Sequence, residues 1–237
     1  MIYFASDIHL GSGDREQQRA TEQRFVEWLD SIEPTAEVLF LVGDIFDFWF
    51  EYQRVVPKGF VRTLGKLAQL SDHGVRIVML TGNHDMWVGK YLTEECGMEL
   101  YTTPQQFTLR DKQFFISHGD NTNIKGEPML RLMNRFFRSK SLRAVASWLI
   151  HPDLFLKFGQ WWSSSSRKAH KDQTDLKYLN PLIEFAKGYN KQPIDHFVFG
   201  HLHIPHQVEN ITFLGNWAHN ASWAELDESG NITLKTK

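Results

Sequence analysis

The sequence holds one cysteine, Cys96, so no internal disulfide can form and nothing ties the chain to an oxidising compartment. In Glu94-Glu95-Cys96-Gly97-Met98 that cysteine reads as a small buried apolar residue. No apolar run approaches the length that spans a bilayer. The N-terminus enters an apolar segment directly, without the charged region and cleavage site of a signal peptide. The expected address is therefore the cytoplasm. Internal repeats are absent, and Ser163 to Ser166 is the sole low-complexity tract.

Net charge is also small, −2, but it hides an asymmetry. Residues 125–171 carry ten basic side chains and two acidic ones, so this block is net +8 and the remainder net −10. A basic block on an acidic protein points to an anionic partner, unless it is only a solvated helical face. The 237 residues, 42% hydrophobic and 23% charged, suffice for one buried domain with an insertion rather than two full domains.

Short apolar runs predict strands at Ile2 to Ser6, Val38 to Val42 and Val75 to Leu80, separated by helices from about Glu16 to Ile32 and from about Pro57 to His73. Pro34 and Gly74 end those helices. This alternation is the pattern of an α/β layered domain. Paired strands are expected at Phe107 to Leu109 and Phe114 to Ser117, followed by a mostly helical stretch from about Asn121 to Lys187. Further strands are expected at Phe197 to Phe199, Ile211 to Leu214, Ser222 to Leu226 and Ile232 to Leu234. The resulting picture is a single domain, 1–237, with a helical insertion at about 121–187.

Five blocks place carboxylate, amide or imidazole groups just beyond predicted strands. They are Asp7-Ile8-His9, Gly43-Asp44-Ile45-Phe46-Asp47, Gly82-Asn83-His84-Asp85, His118-Gly119-Asp120 and Gly200-His201-Leu202-His203. Groups past the carboxyl ends of parallel strands converge on a crevice. Residues i and i+2 leaving a strand project to one side, so Asp7 and His9 can grip one cation together while Ile8 faces the core, and His201 and His203 repeat that spacing. Each block alone has an ordinary turn or strand explanation. Together they supply seven candidate ligands, Asp7, His9, Asp44, Asn83, His118, His201 and His203, too many for one open site and about right for two. Oxygen and nitrogen donors without thiolates suit Mn, Fe, Zn or Mg and argue against a structural zinc site.

This ordered set resembles the calcineurin-like metallophosphoesterases, and the resemblance spans Asp7 to His203. It implies a β-sandwich flanked by helices (αββα) and two divalent cations, manganese foremost. It also implies that Asp7, His9, Asp44 and His203 hold one cation, and Asp44, Asn83, His118 and His201 the other, with Asp44 bridging. His84 would contact the phosphate together with Asn83 and protonate the leaving oxygen, a role that suits an imidazole. Asp85 would orient His84.

Within that superfamily the chain resembles the pyrophosphatases of lipid A assembly. Phe4 to Leu10, Gly43 to Trp49, Gly97-Met98, Pro205 after the last histidine block, and Leu214-Gly215-Asn216-Trp217 carry the likeness. His84 departs from that subgroup, which usually carries arginine there. The resemblance implies a nucleotide-lipid substrate and peripheral association with the cytoplasmic face of an inner membrane.

The insertion tells a compatible story by itself. Met129, Leu130, Leu132, Met133, Phe136 and Phe137 share a stretch with Arg131, Arg135 and Arg138, and Trp148, Leu149, Ile150, Leu154, Phe155, Leu156, Phe158, Trp161 and Trp162 follow. A basic, aromatic, amphipathic stretch fits an anionic membrane surface. Its aliphatic content suits acyl chains better than stacked bases, so no nucleic acid partner is expected, and no obligate protein partner is evident. Ser166, Arg167, Lys168, His170 and Lys171 are candidates for substrate phosphate contacts.

Overall fold

The computed structural model describes residues 1–120, 122, 139–170, 175–218 and 220–237, with the backbone alone for residues 140, 142, 143, 160 and 164–170. Runs such as Val38-Leu39-Phe40-Leu41-Val42 are apolar on both faces, which suits strands covered on both sides. The first sheet has the order β11-β10-β1-β2-β3-β4. Its strands are β1 (Ile2–Ala5), β2 (Val38–Val42), β3 (Arg76–Leu80), β4 (Glu99–Tyr101), β10 (Ser222–Leu226) and β11 (Ile232–Thr236). β1 to β4 run parallel, with Ala5 opposite Leu41 and Val42 opposite Leu80, while β10 pairs antiparallel with β1.

The second sheet has the order β5-β6-β7-β9-β8. It comprises β5 (Gln105–Leu109), β6 (Lys112–Ser117), β7 (His196–Phe199), β8 (His206–Val208) and β9 (Ile211–Phe213). β6 and β7 are parallel, with Ser117 opposite Phe199. Between the sheets, Ile2, Phe4, Phe40, Val42, Val78 and Leu80 meet Leu109, Phe114, Ile116 and Val198. Phe4 stacks on Phe40 at 5.0 Å and on Phe114 of the opposite sheet at 6.3 Å.

Three helices cover the outer face of the first sheet: α1 (Arg15–Ile32), α2 (Val61–Asp72) and α3 (Tyr91–Cys96). Asp14 opens α1 with a capping box to Gln17, and Phe25, Trp28, Leu29 and Ile32 are its buried stripe. α2 starts at Val61 rather than near Pro57, because Gly59 and Phe60 take left-handed backbone (φ 109° and 58°) that no helix continues. A 3-10 turn (Leu176–Leu179) and helix α6 (Asn180–Lys187) cover the second sheet through Leu179, Leu182 and Ala186. The αββα layering matches the expectation. The tail of the helical stretch, expected within the insertion at about 121–187, packs on the second sheet as part of the outer layer.

Helices α4 (Lys140–Leu149) and α5 (Pro152–His170) lie between β6 and β7 in the chain. Phe155 of α5 rests on Phe50 at 4.4 Å, Trp87 at 5.7 Å and Phe48 at 5.9 Å. A side chain on Gly159 would collide with the Phe48 ring. Residues Met129, Leu130, Arg131, Leu132, Met133, Arg135, Phe136, Phe137 and Arg138 lie outside the described residues.

Removing a ring from the inter-sheet stack leaves a cavity that rigid sheets cannot close. Phe40→Ala should lower unfolding stability by about 3–5 kcal/mol in urea titration; a loss below about 1 kcal/mol would contradict a packed aromatic layer.

Candidate metal centre

Five parallel-strand exits end at one level, and the chain leaves several of them in left-handed backbone. Asp7 (φ 54°), His9 (φ 50°), Asp44 (φ 53°), His201 (φ 70°) and His203 (φ 52°) all take positive φ. Each such non-glycine residue costs of order 1–3 kcal/mol and persists only where its surroundings enforce it. The enforcing bonds are visible: Asp7 N donates to Gly43 O (3.0 Å), His9 N to Asp44 O (3.0 Å), and Gly200 N to His118 O (3.0 Å). Asp7 and His9 therefore share a side through alternating left-handed turns, not through a continued strand as the spacing suggested. Ile8 between them is buried in the core under α1 and α2.

Glycines permit the close approach of one block to the next. A side chain on Gly82 would collide with Asp44 Oδ1, and one on Gly43 would lie 2.5 Å from His118 Nδ1. On Gly200 it would lie 2.8 Å from Asp7 Oδ2.

Asp7, His9 and His203 bring ligand atoms within 4.8 Å of one another, and so do Asp44, His118 and His201. Asp44 Oδ2 lies 3.3 Å from His118 Nε2, 3.9 Å from His84 Nε2 and 4.0 Å from His9 Nε2, between the two groups. Asn83 Oδ1 is 3.3 Å from His118 Nε2. The structure thus brings all seven sequence-derived candidates together at the strand ends.

The residues fit divalent cations by their own geometry. His9 Nε2 and His203 Nε2 face each other at 3.1 Å, and Asp7 Oδ1 is buried without a hydrogen-bond partner although His203 Nε2 is 3.1 Å away. Two ring nitrogens and a carboxylate oxygen converging so closely offer three donors to one cation. Burial pushes His9 down to about 3 and His201 down to about 4, leaving both rings neutral with lone pairs to offer. Burial would raise Asp44, but the surrounding imidazoles, His118 first, hold it well below the usual carboxylate range. Burial would lower His118 and His203 as well, but the carboxylates of Asp44 and Asp7 raise both, so the two buried acids draw positive charge to this point.

His84 also lies within reach, its ligand atom within 4.8 Å of those of His9 and Asp44. Its Nδ1 donates to the Asp47 carbonyl at 2.9 Å, so Nε2 faces the cage. The resemblance gave that orienting part to Asp85, whose carboxylate here accepts from Ile45 N (2.8 Å) and Gly82 N (2.7 Å), stapling the loops after β2 and β3. Burial and Asp44 push its carboxyl up to about 6. The sequence named Asp47 in its block without giving it a role; its Oδ1 lies 3.5 Å from His9 Nδ1. Its position three residues past Asp44 was the available signal. Ser6, also missed, donates its hydroxyl to Asp7 Oδ2.

Ser166, Arg167, Lys168 and His170 fall on the C-terminal part of α5, where only the backbone is described, and Lys171 lies outside the described residues.

An αββα sandwich carrying a buried aspartate and histidine cage at its strand ends is the frame of a metal-dependent hydrolase. The pattern of the calcineurin-like phosphoesterases matches residues 1–205, and the chain belongs to that family. It is 34% identical to UDP-2,3-diacylglucosamine hydrolase of Porphyromonas gingivalis over 95% of this chain and 94% of that one. It is 29% identical to the Haemophilus influenzae (strain KW20 Rd) protein of that name over 97% and 96% of the two chains, and 26% identical to the Pseudomonas aeruginosa one over 97% and 96%.

Gly82→Ala should displace Asp44 and sharply lower bound metal, measured by elemental analysis, with the far-ultraviolet circular dichroism unchanged. Full metal content in that variant would rule out so close an approach.

Proposed function

We propose that the chain hydrolyses the pyrophosphate of UDP-2,3-diacylglucosamine to UMP and 2,3-diacylglucosamine 1-phosphate, using two divalent cations, Mn2+ first among Mn, Fe, Zn and Mg. The observation that carries this reading is the near end-to-end similarity to hydrolases of that name, insertion included. Asp7, His9, Asp44 and His203 hold one cation, and Asp44, Asn83, His118 and His201 the other. When bound, such a pair activates water at neutral pH and offsets charge at the phosphoryl oxygens. His84, its Nδ1 committed to Asp47, presents Nε2 to the phosphate and releases a proton to the leaving oxygen. Asn83 and His84 both face the substrate, and basic residues of the insertion (Arg167, Lys168 and Lys171, with Ser166 and His170) contact its phosphates.

The insertion acts as a cap for the acyl chains and as the contact with an anionic membrane. Trp148 is 84% exposed, Leu149 65%, Leu154 64% and Trp161 62%, a density of bare apolar groups that water alone does not explain. Among the described residues no helix is long and apolar enough to cross a membrane, so the association is peripheral, at the cytoplasmic face of an inner membrane. The reach of the cap toward the metal loops, through Phe155 on Phe48, Phe50 and Trp87, supports a substrate with one end at the cations and the other under the cap.

UMP release from UDP-2,3-diacylglucosamine in Mn2+ is the decisive assay. Turnover of bis(p-nitrophenyl) phosphate with none of the nucleotide-lipid would replace this reading with a phosphodiesterase acting on a soluble substrate. His84→Ala should lower kcat by about 10²- to 10⁴-fold with bound metal retained; loss of metal instead would make His84 a ligand. Replacing Trp148 and Leu149 with glutamate should reduce co-sedimentation with anionic vesicles, and unchanged partitioning would reject the membrane contact.

A further inference from the structure

The block Leu214-Gly215-Asn216-Trp217 lies beyond the stretch that the family pattern matches, residues 1–205, and holds none of the seven candidate ligands. It nevertheless lies against two of them. The side-chain amide of Asn216 donates to the His203 carbonyl at 3.2 Å, and the Trp217 backbone N–H donates to the Asp7 carbonyl at 3.2 Å. Both recipients are ligand residues in left-handed backbone, the conformation that needs outside support.

The block is itself firmly held. Trp217 is fully buried, edge-on to Phe25 at 5.3 Å and Trp28 at 5.2 Å, and Arg24 Nη1 of α1 donates to its carbonyl at 3.0 Å. Ser222 Oγ donates to Leu214 O (2.6 Å) and Asn216 O (3.1 Å). Gly215 (φ 77°) admits Pro205, whose Cβ would lie 2.8 Å from any side chain placed there.

We propose that Asn216 is a positioning residue for one cation: with the Trp217 amide it fixes the backbone of Asp7 and His203, so that the segment after residue 205 completes the metal site. Asn216 touches no reacting atom and acts through the two ligands. Its Oδ1 also accepts from Ala218 N at 3.0 Å, a local turn bond separable from the brace. Outer hydrogen bonds of this kind typically change metal affinity by about 10- to 100-fold.

The inference rests on the two-cation reading of the cage, and one experiment separates their failures. Chelator-stripped wild type, Asn216→Ala and Asn216→Asp are titrated with Mn2+ by calorimetry, and melting of the metal-free forms is recorded alongside. Wild type should take up two Mn2+ per chain. Asn216→Ala should bind one of them about 10- to 100-fold more weakly, with the other affinity and the metal-free melting temperature near wild type. Asn216→Asp keeps the acceptor for Ala218 N and loses the donor; a weaker site there, despite the added negative charge, would support the brace. Should Asn216→Ala fail to fold, Asn216→Asp decides alone. Unchanged affinities with lowered melting would make the block a stability element only and overturn the proposal. Wild type that binds no Mn2+ would overturn the two-cation reading itself, and the brace with it.

Discussion

The parallel register of β1, β2 and β3 in one sheet, and of β6 and β7 in the other, is the constraint on which the site depends. It brings the exits after Ala5, Val42, Leu80, Ser117 and Phe199 to one edge of the sandwich. The stacked rings of Phe4, Phe40 and Phe114 hold the two sheets face to face. His118, from the second sheet, then donates its Nδ1 proton to the Val42 carbonyl of the first at 2.9 Å, which directs Nε2 toward Asp44. Core packing and ligand orientation are in this sense one structure.

Convergence at the edge has a local cost, which the fold offsets with hydrogen bonds. Five of the candidate ligands sit in left-handed backbone, and the loops that carry them go on pairing past the strand ends, as Leu10 with Phe46 and Phe50 with Trp87 show. Asp85 joins two of these loops through a buried carboxylate, and Glu51 caps the start of α3 by accepting from Gly89 N (2.7 Å) and Lys90 N (2.8 Å). Such bonds keep a cluster of buried acids and imidazoles from relaxing apart, so the cage is preorganised.

The same loops serve a second purpose. Past Asp47 and His84 they present Phe48, Phe50 and Trp87 as an aromatic surface on which α5 sits. Metal loops and cap contact are therefore adjacent along the chain.

Much of this was legible in the linear order of residues. Apolar runs bounded by Gly and polar residues marked β1 to β3, because strands buried on both faces must be apolar throughout, and the five blocks held all seven candidate ligands that the fold brings together. Three-residue strands such as β4 and β8 were not legible, since so short a run shows no period and is defined by its neighbours. Nor was the backbone of Asp7, His9, His201 and His203: their spacing suggested a continued strand, and only the pairing with adjacent loops turns them left-handed. The roles of Asp85, Asp47 and Asn216 also required the fold. Composition identifies which groups can bind a cation or a proton, but which backbone a buried carboxylate or amide reaches is decided by segments far apart in the chain meeting in space.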